Sequence, residues 1–169
     1  MEMKGRLVIR KSGILKLLPF GEGFLFLDEA YVAEEDIDER GVQKLTAIKK
    51  IRDEECVDHF GIFPGHLLCE VAAQAAALLM KLKNVELKDT KFVLKETSGK
   101  FYRQVLPGET LKIEPQLVKQ KMNFYFLKAE IFVGDETIDL FGPKEKEIVA
   151  EWEGIGFLFN EDAYEKEEK

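Results

Sequence analysis

The pattern of apolar and polar positions predicts one long helix set among strands. From about Gly65 to Lys83 the chain carries Leu67-Leu68-Cys69-Glu70-Val71-Ala72-Ala73-Gln74-Ala75-Ala76-Ala77-Leu78-Leu79-Met80, an unbroken run of helix formers whose apolar positions cover every face. A surface helix shows a polar stripe, whereas a helix apolar all round has to be covered on all sides. At about 28 Å it matches the width of a small domain, and its polar ends and interior polar groups set it apart from a membrane span. Upstream, Arg6 to Arg10 reads as a strand, with Ser12 capping a short helix through Leu18 that Pro19 ends. Gly21 and Gly23 mark a turn. Phe24-Leu25-Phe26-Leu27, continued by Tyr31-Val32, reads as a strand, and Val42 to Ile51 reads as its hairpin partner beyond the charged turn Glu34 to Gly41. Downstream, strand patterns cover Lys91 to Lys95, Lys100 to Val105, Thr110 to Lys119, Met122 to Val133 and Glu147 to Phe159, with turns at Pro107-Gly108 and Gly134-Asp135 and a loop at Gly142-Pro143. One buried helix among antiparallel strands implies an α+β domain with the sheet curled around the helix.

Composition keeps this to one core. At 169 residues and 46% hydrophobic the chain suits a single domain, expected over residues 1–160, followed by an acidic tail over 161–169. Residues 1–10 alternate charged and apolar side chains without a signal-like apolar stretch, so the expected location is the cytoplasm. Cys56 and Cys69 lack C-x-x-C spacing and are expected to be reduced thiols, with no metal cluster. A formal charge of −7 argues against nucleic acid and anionic membranes as partners. From Lys81 to Lys128, however, 11 Lys and Arg face 5 Asp and Glu, a local balance of +6 that leaves −13 elsewhere. That asymmetry fits either a docking face for an anionic partner or lysines scattered along solvated strand edges.

The candidate chemistry centres on the helix. Glu70 and Gln74 interrupt it four residues apart and share a face. Burial in an apolar packing favours the neutral carboxyl over the anion, and a neutral acid can donate a proton; the alternative is a helix edge where Glu70 simply reaches water. Gln74 is placed to hold the Glu70 rotamer. His59-Phe60-Gly61-Ile62-Phe63-Pro64-Gly65 leads into the helix, where free backbone N–H groups can receive a carbonyl oxygen or an oxyanion. The only two histidines lie here. His59 is a candidate base in the loop, and His66, four residues before Glu70, is a candidate to pair with it.

Phe63-Pro64-Gly65-His66-Leu67-Leu68-Cys69-Glu70-Val71-Ala72-Ala73-Gln74 resembles the M-P-G-V-L-x-x-E-A-M-A-Q helix start of the β-hydroxyacyl-acyl-carrier-protein dehydratases of fatty-acid synthesis. Ile14-Leu15-Lys16-Leu17-Leu18-Pro19 with Phe24-Leu25-Phe26-Leu27-Asp28 is similar to that family's I-x-x-L-L-P-H-R-x-P-F-L-L-V-D, Ala47-Ile48-Lys49 to its A-x-K-x-V, and Lys100-Phe101-Tyr102-Arg103-Gln104-Val105-Leu106-Pro107-Gly108-Glu109 to its K-F-x-R-P-V-x-P-G-D. The matches run in order from about Ile14 to Phe132. They imply the hot-dog fold, an acyl-thioester substrate on acyl carrier protein or coenzyme A, no cofactor, and a homodimer or trimer of dimers. In that arrangement His59 of one subunit removes the α-proton, Glu70 of the other protonates the departing hydroxyl, and N–H groups near Gly61 and Gly65 hold the thioester carbonyl. Phe24, Phe26, Leu67 and Phe101 are then candidates to line an acyl tunnel, with His66 and Gln74 beside them, and Lys100 and Arg103 to dock the carrier. Three departures stand out. The His loop is about three residues short of H-F-P-G-x-P-x-M-P-G and lacks its first Pro-Gly, P-H-R has become Pro19-Phe20-Gly21, and the usual Val after the helix Pro-Gly is His66. Two further readings follow: a thioesterase with Glu70 ionised to activate water, and a non-catalytic acyl-binding protein.

Overall fold

The computed structural model describes residues 6–83, 90–134 and 146–159. The turn at Gly134-Asp135 beyond Gly134, the loop at Gly142-Pro143 and the acidic tail lie outside these residues. Strand β1 (Arg6–Arg10) runs straight into helix α1 (Lys11–Leu17). Ser12 therefore sits inside the helix and not at its cap, which is Arg10 without a side-chain bond. The Leu18 N–H closes on the Ile14 carbonyl at 2.9 Å, and Pro19 cannot extend the helix further.

The apolar run Phe24 to Leu27 is not a strand. A short 3-10 turn over Glu22–Phe24 leads into an extended segment, and β2 begins only at Glu29, running to Ala33. The reason lies in the helix: Gln74 takes the Phe24 carbonyl and the Phe26 N–H, so these backbone groups serve the helix and no neighbouring strand. A small hairpin of β3 (Ile37–Asp38) and β4 (Gly41–Val42) follows, then β5 (Thr46–Lys50), which pairs antiparallel with β2 through Glu29↔Ile48 and Ala30↔Ala47.

Helix α2 spans Gly65–Lys83, and every residue from Val71 to Lys81 is buried. By length and composition alone its mean hydropathy of 1.2 would allow a membrane crossing, so its polar ends do not set it apart; packing inside the sheet does. Ala72, Ala73, Ala75, Ala76 and Ala77 let the backbone approach the sheet closely, and burying this surface is the main stabilising term. At its far end Lys81 Nζ donates to the Thr90 carbonyl, and Lys83 Nζ to Gln43 Oε1 at 2.6 Å.

The remaining strands are β6 (Lys91–Phe101), β7 (Thr110–Lys121), β8 (Phe124–Val133) and β9 (Glu147–Phe159), giving a seven-stranded antiparallel sheet in the order β1-β2-β5-β7-β8-β9-β6. Where the sequence pattern breaks into two pieces, β6 is continuous, because a bulge at Leu94/Glu96 and the polar Glu96-Thr97-Ser98-Gly99 keep pairing with β9. Gly99 fits this place for a steric reason: a Cβ there would lie 2.8 Å from Cys69 Sγ on the helix. The Trp152 indole, fully buried on β9, donates to Thr97 Oγ1 at 2.7 Å and ties the two strands under the helix start. One long helix held in a curved antiparallel sheet is the α+β architecture expected, and β6 is an edge strand whose outer side carries no strand among the described residues.

Candidate functional site

The helix start is built by short-range geometry. Phe63 N–H donates to the Val105 carbonyl at 2.9 Å, Pro64 fixes the backbone angle, and the Leu67 N–H returns to the Pro64 carbonyl at 3.0 Å. The first N–H groups of the helix, those of Gly65 and His66, have no intrahelical acceptor. One turn in, Glu70 is half-buried and its Oε1 accepts from Gln74 Nε2 at 3.0 Å. Gln74 is fully buried and spends its remaining capacity on the Phe24 carbonyl (2.9 Å) and the Phe26 N–H (2.9 Å). These backbone bonds fix which end of the amide is oxygen and which nitrogen, so it is an N–H that faces Glu70. The rings of Phe20, Phe24 and Phe26 stack edge-to-face beside this pair, with centroids 5.5 and 5.9 Å apart.

The His59 loop is built differently. After the 3-10 turn Asp53–Glu55, the Cys56 carbonyl accepts both the His59 N–H (2.9 Å) and the Gly61 N–H (3.1 Å), and the chain turns through two left-handed residues, Phe60 (φ 57°) and Gly61 (φ 74°). Gly61 suits that backbone angle. Its N–H is committed to the Cys56 carbonyl and is not free for the carbonyl-binding role expected of it. His59 Nδ1 is buried and has no hydrogen-bond partner among the described residues. The neighbouring Phe60 ring, 93% exposed, lies edge-on to the imidazole at 5.4 Å between centroids. No hydrogen bond or ion pair joins His59 or His66 to Glu70 among the described residues, and His66 is exposed.

Beneath the loop lies a group the sequence reading passed over. Lys49, 1% exposed, meets Glu55 Oε1 at 2.5 Å and lies 5.9 Å from the ring centroids of both Phe26 and Phe63. Glu55 Oε2 also accepts the Arg52 N–H, and Arg52 pairs with Asp28 at 2.6 Å. The signal was present in the alternation of β5: Ala47 faces the helix, and so does Lys49 two residues on.

The other candidates divide. Leu67 packs on the core, while Phe101 is half exposed and its ring lies within 4 Å of where a Gly65 Cβ would sit. Lys100 is exposed on the outer face of the sheet and lines a broad concavity that includes neither His59 nor Glu70. Arg103 is engaged within the chain, pairing with Glu109 and Glu147 at 2.8 Å each. Burial alone would raise the Glu109 carboxyl, but hydrogen bonds from Arg103 and the Leu106 N–H outweigh it and hold the group below its ordinary range. Burial raises both thiols, Cys69 against a counteracting hydrogen bond from Thr97, so neither is a ready nucleophile. Among the described residues no three His, Cys, Asp or Glu side chains converge.

A family profile described as FabA-like domain matches residues 18–141. The 3-hydroxyacyl-acyl-carrier-protein dehydratase FabZ of Legionella pneumophila (strain Lens) is 30% identical over 131 residues, covering 73% of this chain and 83% of that protein. The FabZ of Anaeromyxobacter dehalogenans (strain 2CP-1) is 38% identical over 117 residues, covering 64% and 71%. Among solved structures, a chain of the dehydratase heterocomplex ApeI:P from Xenorhabdus doucetiae superposes with a TM-score of 0.65 at 14% identity, covering 90% of this chain and 95% of that one. The PaaI protein of the E. coli phenylacetic acid degradation operon superposes at 0.55 with 16% identity, covering 72% and 81%.

Proposed function

Since the chain belongs to the FabA-like family of hot-dog proteins, we propose that it dehydrates 3-hydroxyacyl thioesters to trans-2-enoyl thioesters. The observation that carries this reading is the Glu70–Gln74 pair at the helix start. It is an oriented carboxyl, half out of water, with free N–H groups one turn away and aromatic rings at its side. In the reaction His59 Nε2 takes the α-proton, the C3–O bond breaks as the C2–C3 double bond forms, and Glu70 protonates the leaving hydroxyl to water. The N–H groups of Gly65 and His66 receive the thioester oxygen as charge builds there. Phe24, Phe26, Leu67 and Phe101 contact the acyl chain. No electron leaves the substrate, so the step calls for no redox cofactor.

The base and the acid come from different subunits of a homodimer in this reading. Two features support it: no bond joins His59 to Glu70 within the chain, and β6 leaves an 11-residue edge, with Val93 and Phe101 about half exposed, for a second copy to cover. The thioester arrives on an acidic carrier protein in the cytoplasm, steered by Lys100 and its basic neighbours, while Arg103 contributes by holding the 103–109 turn.

The test is direct. Purified protein supplied with a 3-hydroxyacyl thioester is expected to produce the conjugated enoyl thioester, followed by its ultraviolet absorbance. Thiol release from a saturated acyl thioester instead would replace dehydration with hydrolysis, in which Glu70 activates water. Stoichiometric binding with neither product would leave a binding protein.

A further inference from the structure

Three polar or charged residues are buried among the described residues: Gln74, Lys81 and Lys49. Gln74 orients Glu70 and Lys81 closes the far end of the helix, which leaves Lys49 without an assigned task. We infer that Lys49 is a positioning residue that sets the His59 loop and the Phe24–Phe26 segment against the helix start; as a statement about catalysis it rests on the dehydratase reading above.

A lysine pointing inward from a strand is costly unless an acid meets it, and Glu55 does so at 2.5 Å. A packed apolar pair would serve stability equally well, so the reason for a charge pair here lies in its direction. It fixes one carboxylate oxygen of Glu55 while the other takes the Arg52 N–H at 3.0 Å, closing the turn from which Cys56 presents its carbonyl to His59 and Gly61. The same ammonium sits between the faces of Phe26 and Phe63. The Phe26 N–H leads through Gln74 to Glu70, and Phe63 leads through Pro64 to the free N–H groups of the helix. One cation thus meets the turn ahead of the base, the segment that braces the acid through Gln74 and the residue that leads into the carbonyl site. His59 gives this weight: with no hydrogen bond to its buried Nδ1, the ring takes its position from the loop backbone, and the backbone takes its own from Glu55.

The test replaces the pair together. Lys49→Met/Glu55→Met leaves no unpaired charge and keeps the packing volume, so its melting temperature is expected to stay near that of the unaltered protein, while kcat falls about 100-fold because the base is misplaced, with KM held. Amide hydrogen exchange is expected to accelerate at least about tenfold at His59 and Gly61 and to stay unchanged over Val71 to Met80. Unchanged exchange at His59 and Gly61 overturns the inference whatever the rate does, and so does an unchanged kcat in a protein that dehydrates. If the unaltered protein shows no dehydration, the dehydratase reading fails and the exchange result alone decides the positioning role. Should the double variant fail to fold, Glu55→Asp, which keeps the charge and shortens the reach, is expected to show the same local loss of protection in milder form; its absence overturns the inference.

Discussion

Glu70 and His59 sit eleven residues apart in the chain and are held in opposite ways. Glu70 stands on a rigid helix and receives a hydrogen bond from Gln74, itself bound at both ends to the Phe24–Phe26 backbone. His59 stands on a loop with two left-handed residues, and its buried ring nitrogen has no partner among the described residues. Within one chain Glu70 is thus oriented by its neighbours and the His59 ring is not. The two-subunit site proposed above fits this division: the group seated on the helix is oriented locally, while the group on the loop is left to be completed by what it meets.

The largest effect is expected from removing either group of the pair. Glu70→Gln and His59→Ala should each lower kcat/KM by about 10²- to 10⁴-fold, the range for losing a general acid or base. Mixing the two inactive proteins after reversible dissociation should restore about a quarter of the activity, since half of the randomly formed dimers then carry one site with both groups intact. No recovery on mixing, with heterodimers confirmed by mass, would place acid and base in the same chain. Gln74→Leu sharpens the acid side: it strands the Phe26 N–H and Phe24 carbonyl and is expected to cost about 2–3 kcal/mol in denaturant unfolding, and with Glu70 unsupported kcat should fall about tenfold. A stability loss with normal turnover would show that Glu70 needs no orientation. The smallest effect belongs to the loop. Gly61→Ala meets no atom within 4 Å, so its expected cost of about 1 kcal/mol is that of a left-handed backbone alone. Activity should change little, because the Gly61 N–H is engaged with Cys56; a large kcat loss without destabilisation would return that N–H to the substrate.

The same contrast governs what was legible in the sequence. The helix can be read from end to end because Pro64 opens a long unbroken run of helix formers, and the Glu70–Gln74 spacing follows from helix geometry. The Phe24–Leu27 run has the pattern of a strand without being one, because local pattern cannot say whether a backbone hydrogen bond goes to a neighbouring strand or to a side chain 48 residues away. The acceptor of the Gly61 N–H, the Cys56 carbonyl, is set by two left-handed residues that the residue pattern does not reveal. Arg103 looked like an exposed docking charge until Glu109 and Glu147 closed on it. Lys49 was legible and overlooked: in a strand that alternates, its place beside Ala47 already turned it inward.

The buried run from Val71 to Lys81 also sets an order of events in time. Strands β6, β7, β8 and β9, which supply most of the helix's cover, all follow it in the chain, so during synthesis the helix exists before most of its cover does. For that interval the growing chain displays 19 residues apolar enough to enter a bilayer, and contacts this distant in sequence form slowly. The segment that makes the finished domain stable is thus the one most exposed to aggregation and to chaperones while the chain is still incomplete.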